Sequence, residues 1–459
     1  MPAHVNAVLL VTQRQRWDTT RAHGNPLGLT PNLDRIASRY TLLQNAISAQ
    51  PAPGPGMAAL QTGLFATRSG VFCDGRPMVA EVPTLATRFA TAGYETGFVG
   101  KWPLAGPDHK LRIPAGKRGG YAHWMAAGQM EDCSEAYATF LFDEQGKSAR
   151  LPGYRVDATI DEGIRFIRRH HEAPFLLTLS LAEIGPQTSR DDFPAPDGYA
   201  EQYTGRWTPP DLAALPAHTG PALTGGTAYR HLGGYFGIAR RIDEAYGRLV
   251  DALMSLDLFD HTVVLFTSTS GCHFRTRNAG YDSSGHEASV HVPAVISGPG
   301  FENRGPVPEL VSTIDLAATV LDAAGLATAD LDGRPLLPLL NDPASASWAD
   351  DVYFQISGHD LSRGVRTRRW KYIATARDVN SQQEPTAFTY FDQALYDLQA
   401  DPYELENLSG CPDLKPVAER MRERLCNHIE RIDGKRPRIA EAELRRDLHR
   451  TIDETEVDA

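Results

Sequence analysis

Short, continuous apolar runs alternate with amphipathic helical segments along the first three quarters of the chain. The run NAVLLVT at residues 6–12 is rich in branched side chains and lacks polar alternation, which is typical of a strand covered on both faces of a parallel sheet. Similar runs at residues 174–181 and 262–267 each follow a helical pattern, at residues 156–170 and 235–259. This alternation predicts an α/β fold, a doubly wound and mainly parallel sheet with helices on both faces.

The pattern changes beyond Pro343. Short aromatic or β-branched runs separated by polar turns, such as VYFQI at residues 352–356 and WKYI at residues 370–373, predict a smaller antiparallel sheet. Residues 416–432 then predict a terminal helix. We therefore expect a large α/β domain over residues 1–345, a small C-terminal α+β subdomain over residues 346–435, and either a tail or a docked helix over residues 436–459.

Composition and charge exclude several classes of protein. The 459 residues are 42% hydrophobic and 22% charged, which is an ordinary composition for a folded chain. The 57 acidic and 46 basic residues give a formal net charge of −11, and no long run of Lys or Arg occurs, so a general nucleic-acid or anionic-membrane surface is not expected.

Cysteine usage and the amino-terminal residues bear on localisation. The five cysteines are scattered and form no CxxC pair, which fits a reducing compartment and offers no zinc or redox motif. The apolar run near the amino terminus has no basic segment before it and no cleavage site after it, and no apolar stretch approaches the about 20 residues of a membrane span. We expect a cytoplasmic protein without a membrane or nucleic-acid partner, while a homo-oligomer stays open.

A series of local motifs occurs in a fixed order along the chain. They are TQRQRWD (residues 12–18), TPNLDRIA (30–37), LQTG (60–63), GFVGKW (97–102), VVLFTSTSG (263–271), VRTRRWKY (365–372) and LYDLQADPYELENL (395–408). In this combination the chain resembles the sulfatase family of the alkaline-phosphatase superfamily over almost its whole length. The resemblance implies a large doubly wound domain followed by a smaller C-terminal sheet and helix, in agreement with the pattern of strands and helices.

The resemblance also implies a site chemistry for which this chain has unusual residues. Family members hold a divalent cation, usually calcium, in an oxygen cage at the carboxyl ends of the strands, and oxidise a Cys or Ser to the formylglycine nucleophile. Here Gln13 and Arg14 stand where members read TDQ, and Thr269 and Ser270 stand where members read TSDHG or TSDNG. The nucleophile position falls on Pro53, and proline cannot become formylglycine. The resemblance therefore implies a degenerate member without the formylglycine, the calcium or any other cofactor.

Lys101, in the GFVGKW motif, is the position of the family's usual cationic set that clearly remains. If Arg14 points into the former cage, Arg14 and Lys101 could hold an anion, with Gln13, Thr269, Ser270 and His273 completing the ligand-binding set. Two alternatives stay open: Arg14 turns outward to pair with a surface carboxylate, and Lys101 forms a structural ion pair.

The pair His286 and Glu287 offers a second chemistry, because a histidine beside a carboxylate can act as a general base at neutral pH. The alternative is a hydrogen-bonding pair that holds a loop.

Several functions follow as hypotheses. The first is a rewritten sulfatase cleft that binds an anion or other small molecule without hydrolysing sulfate esters. The second is a metal-independent acid/base enzyme of a specialised biosynthetic pathway, using Lys101, His286 and Glu287. A homotypic interaction module and a residual sulfatase or phosphonate hydrolase are the others.

Overall fold

The computed structural model describes residues 4–187, 189–216, 228–343, 347–450, 452, 456 and 457. Within them the larger sheet has eleven strands. They are β1 (Asn6–Thr12), β2 (Thr41–Ile47), β3 (Glu95–Lys101), β4 (His123–Ala127), β5 (Thr139–Asp143), β6 (Ser148–Leu151), β7 (Phe175–Ser180), β8 (Thr262–Ser268), β9 (His291–Val292), β10 (Ala294–Ser297) and β11 (Gly305–Ser312).

The order of strands explains why some of them are apolar throughout. The order is β11-β2-β10-β8-β1-β7-β3-β4-β5-β6, with β9 beside β2. The five central strands β8, β1, β7, β3 and β4 are all parallel, and every residue of β1, β7 and β8 is buried. Helices that cover both faces require apolar side chains on both faces, which accounts for the continuous runs in the sequence. The predicted doubly wound fold is confirmed.

Helices connect these strands and form two hydrophobic cores, one on each face of the sheet. The helices are α1 (Pro31–Ala37), α2 (Pro53–Thr62), α3 (Ala66–Ser69), α4 (Leu85–Thr91), α5 (Met130–Cys133), α6 (Arg155–His170), α7 (Tyr199–Tyr203), α8 (Pro210–Ala214), α9 (Ala228–Ser255), α10 (Glu287–Val290), α11 (Thr313–Ala323), α12 (Leu337–Asn341) and α13 (Lys415–Asp433). No helix among the described residues is both long enough and apolar enough to cross a membrane.

A second, five-stranded sheet follows the large one. Its strands are β12 (Val352–Ile356), β13 (Ser362–Arg366), β14 (Trp370–Thr375), β15 (Thr389–Asp397) and β16 (Arg438–Ala440). The first four are antiparallel, as predicted, and α13 packs on them. The predicted boundary at residues 345 and 346 lies outside the described residues.

The carboxy-terminal segment contains a short strand and no helix over residues 436–450. Residues 438–440 form the edge strand β16, which runs parallel to β15, and the rest of residues 436–450 has no helix. The docked-helix alternative is therefore wrong for this part of the chain. The apolar side chains of Ile439 and Leu448 pack against the core of the small sheet, although the backbone that carries them is not helical.

A buried cluster of charges joins the two sheets. Nζ of Lys371, on β14, lies 2.8 Å from Oε1 of Glu287 and 2.6 Å from Oε1 of Glu404. Nε of Arg366, on β13, lies 3.0 Å from Oε1 of Glu287. All four side chains are at most 6% exposed, and two cations balance two carboxylates. The small sheet is thus joined to the large one by charges that are almost completely buried.

Replacing Lys371 with Met should destabilise the protein, because Glu287 and Glu404 would lose a shared cation while remaining buried. We expect the free energy of unfolding to fall by about 3–5 kcal/mol, measured by denaturant unfolding followed by circular dichroism. The matched control is Lys415→Met, whose ion pair with Glu419 is more than half exposed on both sides. A loss at Lys371 no larger than that of the control would contradict this account of the interface.

Candidate functional site

A cavity of about 150 Å³ opens at the carboxyl ends of the central strands. Ligand sites of doubly wound folds form at this edge of the sheet. Lys101 is the last residue of β3, and Arg14 follows β1 by two residues. The charged residues that line the cavity are Arg14, Asp74, Lys101, Lys110 and Glu131, and the lining also includes Pro53 and His109. Two of the predicted ligand-binding residues and the predicted nucleophile position therefore border one cavity.

Lys101 is held between two side chains. Its Nζ donates to Oε1 of Gln13 at 2.9 Å and forms an ion pair with Glu131, on the short helix α5. Burial raises the pKa of Glu131, but the neighbouring Lys101 has the opposite effect and the net pKa lies below its ordinary value. Oε2 of Glu131 and Nε2 of Gln13 are buried without a hydrogen-bond partner in the protein. Glu131 lines the cavity and Gln13 does not, so of these two atoms Oε2 of Glu131 is the one that a water or a donor group in the cavity could satisfy.

Arg14 points inward and pairs with a buried carboxylate. Its backbone has a φ of 55°, a left-handed conformation that turns the chain directly after β1. Its Nε lies 2.7 Å from Oδ2 of Asp282, and the two side chains are 18% and 9% exposed. Burial alone would lower the pKa of Arg14. The nearby carboxylates of Asp282, Glu131 and Asp74 raise it by more than this, so the pKa lies above its ordinary value. The alternative in which Arg14 turns outward to a surface carboxylate is therefore wrong.

The amino terminus of α2 forms another side of the cavity. Pro53 is its first residue, and the backbone N–H of Gly54 donates to Oδ1 of Asp74 at 2.7 Å. A Cβ at Gly56 would lie 2.7 Å from the carbonyl oxygen of Thr269, so the absence of a side chain lets α2 pack against the end of β8. Burial, and then repulsion from Asp282, raises the pKa of Asp74.

Thr269 and Ser270 continue β8 below this helix. Both are fully buried, and the N–H of Thr269 donates to the carbonyl oxygen of Thr12 at 3.0 Å, which extends the β1–β8 ladder. Neither hydroxyl oxygen has a hydrogen-bond partner in the protein. Neither residue lines the cavity, so these two predicted ligand-binding residues lie behind it, beneath α2.

His273 supports the loop that carries Asp282. It is fully buried, its Nε2 donates to the carbonyl oxygen of Asp282 at 2.9 Å, and its Nδ1 has no partner. Burial lowers its pKa to about 4. His273 does not line the cavity either, and it acts on the site by holding the backbone of the residue that pairs with Arg14.

Comparison with known proteins decides the family. The sequence profile described as Sulfatase matches residues 5–326, which is more than half of the chain. The chain belongs to the sulfatase family. A second profile, described as N-sulphoglucosamine sulphohydrolase, C-terminal, matches residues 282–431 of this sulfatase-family protein. The family predicted from the ordered motifs is confirmed.

Relatives of this sulfatase-family protein are distant in sequence and similar in fold. An ulvan-active sulfatase from Formosa agariphila is 25% identical over 434 residues, which cover 91% of this chain and 79% of the relative. The structure of yidJ from Bacteroides fragilis has a TM-score of 0.79 at 21% identity and covers 94% of this chain and 97% of that one. The phosphonate monoester hydrolase of Agrobacterium radiobacter has a TM-score of 0.71 at 21% identity, over 92% and 95% of the two chains.

The structure does not bring His286 and Glu287 to Lys101. Glu287 is bound to Arg366, Lys371 and His291 in the charge cluster between the two sheets. The ring nitrogens of His286 contact Oγ of Ser284 and the hydroxyl of Tyr396, and burial lowers its pKa well below the ordinary value. Neither residue lines the cavity. The predicted catalytic grouping with Lys101 is therefore not assembled, and the loop-holding alternative describes the pair.

Three carboxylates that the sequence did not single out are central to this site of the sulfatase-family protein. Asp74, Glu131 and Asp282 surround Arg14 and Lys101, yet they come from three loops or short helices far apart in the chain. No motif marks them, because each becomes part of the site only through the cation that faces it in the fold.

The buried neutral imidazole of His273 should make stability depend on pH. An unfolded histidine has a pKa of about 6.5. Between pH 6.5 and 4 the unfolded chain therefore binds more protons than the folded one, and stability falls as pH falls. We expect His273 to account for about 2 kcal/mol of the stability lost between pH 7 and pH 5.

The measurement is denaturant unfolding of His273→Asn at both pH values. The variant should lose less stability than the unmodified protein on acidification, and the exposed-residue control His171→Asn should lose the same amount as the unmodified protein. Equal pH dependence in all three proteins would contradict a buried neutral imidazole at position 273.

Proposed function

We propose that this sulfatase-family protein binds a small anionic molecule in the strand-end cavity and does not hydrolyse sulfate esters by the calcium and formylglycine route. The observation that carries the proposal is the pairing of Arg14 with Asp282 at 2.7 Å, at the strand end where the family resemblance expects a metal ligand. Pro53, at the matched nucleophile position, lines the same cavity and has no group that could become an aldehyde.

The donor groups at this strand end do not fit calcium, which takes six to eight oxygen ligands rich in carboxylates. The amide oxygen of Gln13 already accepts a hydrogen bond from Lys101. The nearby carboxylates are also engaged: Asp74 by the N–H of Gly54, Glu131 by Lys101 and Asp282 by Arg14. A calcium ion would have to displace a guanidinium that is itself positively charged. Arg14 therefore supplies the positive charge of this site from within the chain.

The cavity offers cationic donors to a small anion. Arg14, Lys101 and Lys110 line it together with Asp74 and Glu131, and Asp282 pairs with Arg14 beside it. Guanidinium and ammonium groups donate several hydrogen bonds to tetrahedral oxyanions. Two similar proteins are named as a sulfatase and as a phosphonate monoester hydrolase, and both sulfate and phosphonate groups are tetrahedral oxyanions. We therefore infer a ligand that carries a sulfate, phosphate or phosphonate group.

A metal-independent enzyme is the second candidate. It is favoured by the ion pair of Lys101 and Glu131, since an ammonium and a carboxylate side by side at a cavity can exchange a proton with a bound molecule. This candidate uses Lys101 and Glu131, and not His286 and Glu287, which lie away from the cavity. For either function we propose a reducing, cytoplasmic location, because all five cysteines are free thiols.

Metal content and turnover separate a binding protein from a conventional sulfatase. We expect calcium and magnesium well below one ion per chain in the purified protein, measured by inductively coupled plasma mass spectrometry. We also expect no hydrolysis of a chromogenic aryl sulfate or aryl phosphonate, because the site lacks a nucleophile. Stoichiometric calcium together with turnover would overturn the proposal. Turnover without either metal would favour the metal-independent enzyme.

Anion binding is tested by thermal melting with sodium sulfate or phosphate against sodium chloride at equal ionic strength. The unmodified protein should be stabilised by about 3 kcal/mol once the anion exceeds its dissociation constant a hundredfold. The double variant Lys101→Met, Glu131→Gln removes the cation without leaving an unpaired carboxylate, and it should lose this protection. The control is Lys147→Met, at an exposed turn. Equal protection of the double variant and the control would contradict binding in this cavity.

A further inference from the structure

We propose a second site on this protein, a binding site for a divalent transition metal of the zinc class, formed by Glu95, His123 and His170. The three side chains lie at the amino ends of the parallel strands, the opposite edge of the sheet from the strand-end cavity. One ligand atom from each of the three lies within 4.8 Å of the others. Among the described residues, no other group of three or more His, Cys, Asp and Glu side chains comes as close together.

The sheet register places Glu95 and His123 side by side. Both are the first residues of adjacent parallel strands, β3 and β4, and His123 pairs in register with Gly97. Glu95 and Gly97 are two residues apart, so they share a face of the sheet with His123. Nε2 of His123 lies 3.0 Å from Oε2 of Glu95. One imidazole and one carboxylate are thus presented together by the backbone.

Helix α6 supplies the third group. A Cβ at Gly97 would lie 2.6 Å from the ring of Phe166, so the glycine lets this phenylalanine pack directly on the sheet. His170 is four residues after Phe166 and therefore lies on the same face of α6. Its ring centroid is 4.2 Å from that of His123 and 4.6 Å from that of Phe166. The close approach of α6 at Gly97 is what brings the two imidazoles together.

The donor set and its surroundings suit a borderline cation. Two imidazoles and a carboxylate are a common zinc ligand set, and a fourth position stays open to water. Tetrahedral ligands of zinc lie about 3.3 Å apart, so side-chain movements of about 1.5 Å or less would close the site.

Both negative and positive side chains surround the proposed metal site. The small cavity beside the two imidazoles is also lined by the carboxylates Glu144 and Glu162 and by the cation Arg169. His170 is the last residue of α6, where the partial negative charge of the helix terminus attracts a cation. A bound ion would link β3, β4 and α6, and would therefore stabilise the folded chain.

The test uses tag-free full-length protein treated with EDTA and then dialysed, because a histidine tag would bind the same metals. Isothermal titration with zinc chloride should give one ion per chain, and binding of Co²⁺ should give the visible absorption of a low-symmetry site. The double variant His123→Ala, His170→Ala should bind zinc at least about tenfold more weakly. Calcium should not compete, because imidazole is a poor ligand for it.

Controls separate this site from others. His171→Ala removes the neighbouring exposed histidine, and His109→Ala removes the histidine that lines the strand-end cavity. Both should bind zinc as the unmodified protein does. If the double variant does not fold by circular dichroism, Glu95→Gln tests the same site at a half-exposed position and should also weaken binding. Unchanged zinc affinity in a folded variant of the three residues, or its loss in His109→Ala, would overturn the proposal. The anion test is run in EDTA, so the two proposals can fail separately.

Discussion

Charges removed from water at the carboxyl edge of the large sheet must be balanced by other parts of the chain, and this requirement arranges much of the molecule. A buried ion that loses its partner costs several kcal/mol, whereas a well-paired one is tolerated. Arg14 turns inward directly after the central strand, and Asp282 is held against it by a loop whose backbone His273 fixes. Lys101 ends its strand inside the protein, and Glu131 comes to it from a short helix. Segments remote in sequence are therefore positioned by charge at one cavity.

The same requirement operates where the two sheets meet. Glu287 lies in the large domain and its cations, Arg366 and Lys371, lie on the small sheet, so neither domain balances its own buried charge. This explains why a histidine and glutamate pair that is suggestive in the sequence has a structural task in the folded chain. A carboxylate with two cations and a histidine around it has no free lone pair with which to accept a proton from a bound molecule. Its pKa is accordingly held far below the range of a general base.

Much of the fold could be predicted because apolar periodicity decides it locally. The strand at residues 6–12 and the strand at residues 352–356 coincide with β1 and β12, and the helix predicted over residues 156–170 begins one residue earlier. Apolar periodicity does not predict the hairpin β5–β6. The hairpin lies at the edge of the sheet, where several side chains are exposed and polar residues interrupt the apolar ones. Residues 438–440 join an existing sheet edge, and a partner strand, not their own spacing, determines their conformation.

The site was less predictable because its character depends on pairs. Gln13, Arg14, Pro53 and Lys101 could be placed at the strand ends from motifs alone, whereas the direction of Arg14 depends on Asp282, 268 positions away along the chain. A sequence motif records which side chain stands at a position, and not which charge faces it. For this reason Arg14 and Lys101, which the sequence predicts as open anion ligands, each already have a carboxylate beside them.

The existing ion pairs also determine how strongly an anion could bind in the cavity. An anion approaching Arg14 and Lys101 competes with Asp282 and Glu131, so it gains less than it would from two free cations. Such an anion would therefore need well-directed hydrogen bonds to the cations that it shares with these carboxylates. Selectivity would then come from hydrogen-bond geometry more than from charge, since a bare charge is already neutralised. The guanidinium of Arg14 also holds Asp282 in place, so a ligand that bound beside Arg14 would meet a fixed arrangement of charges.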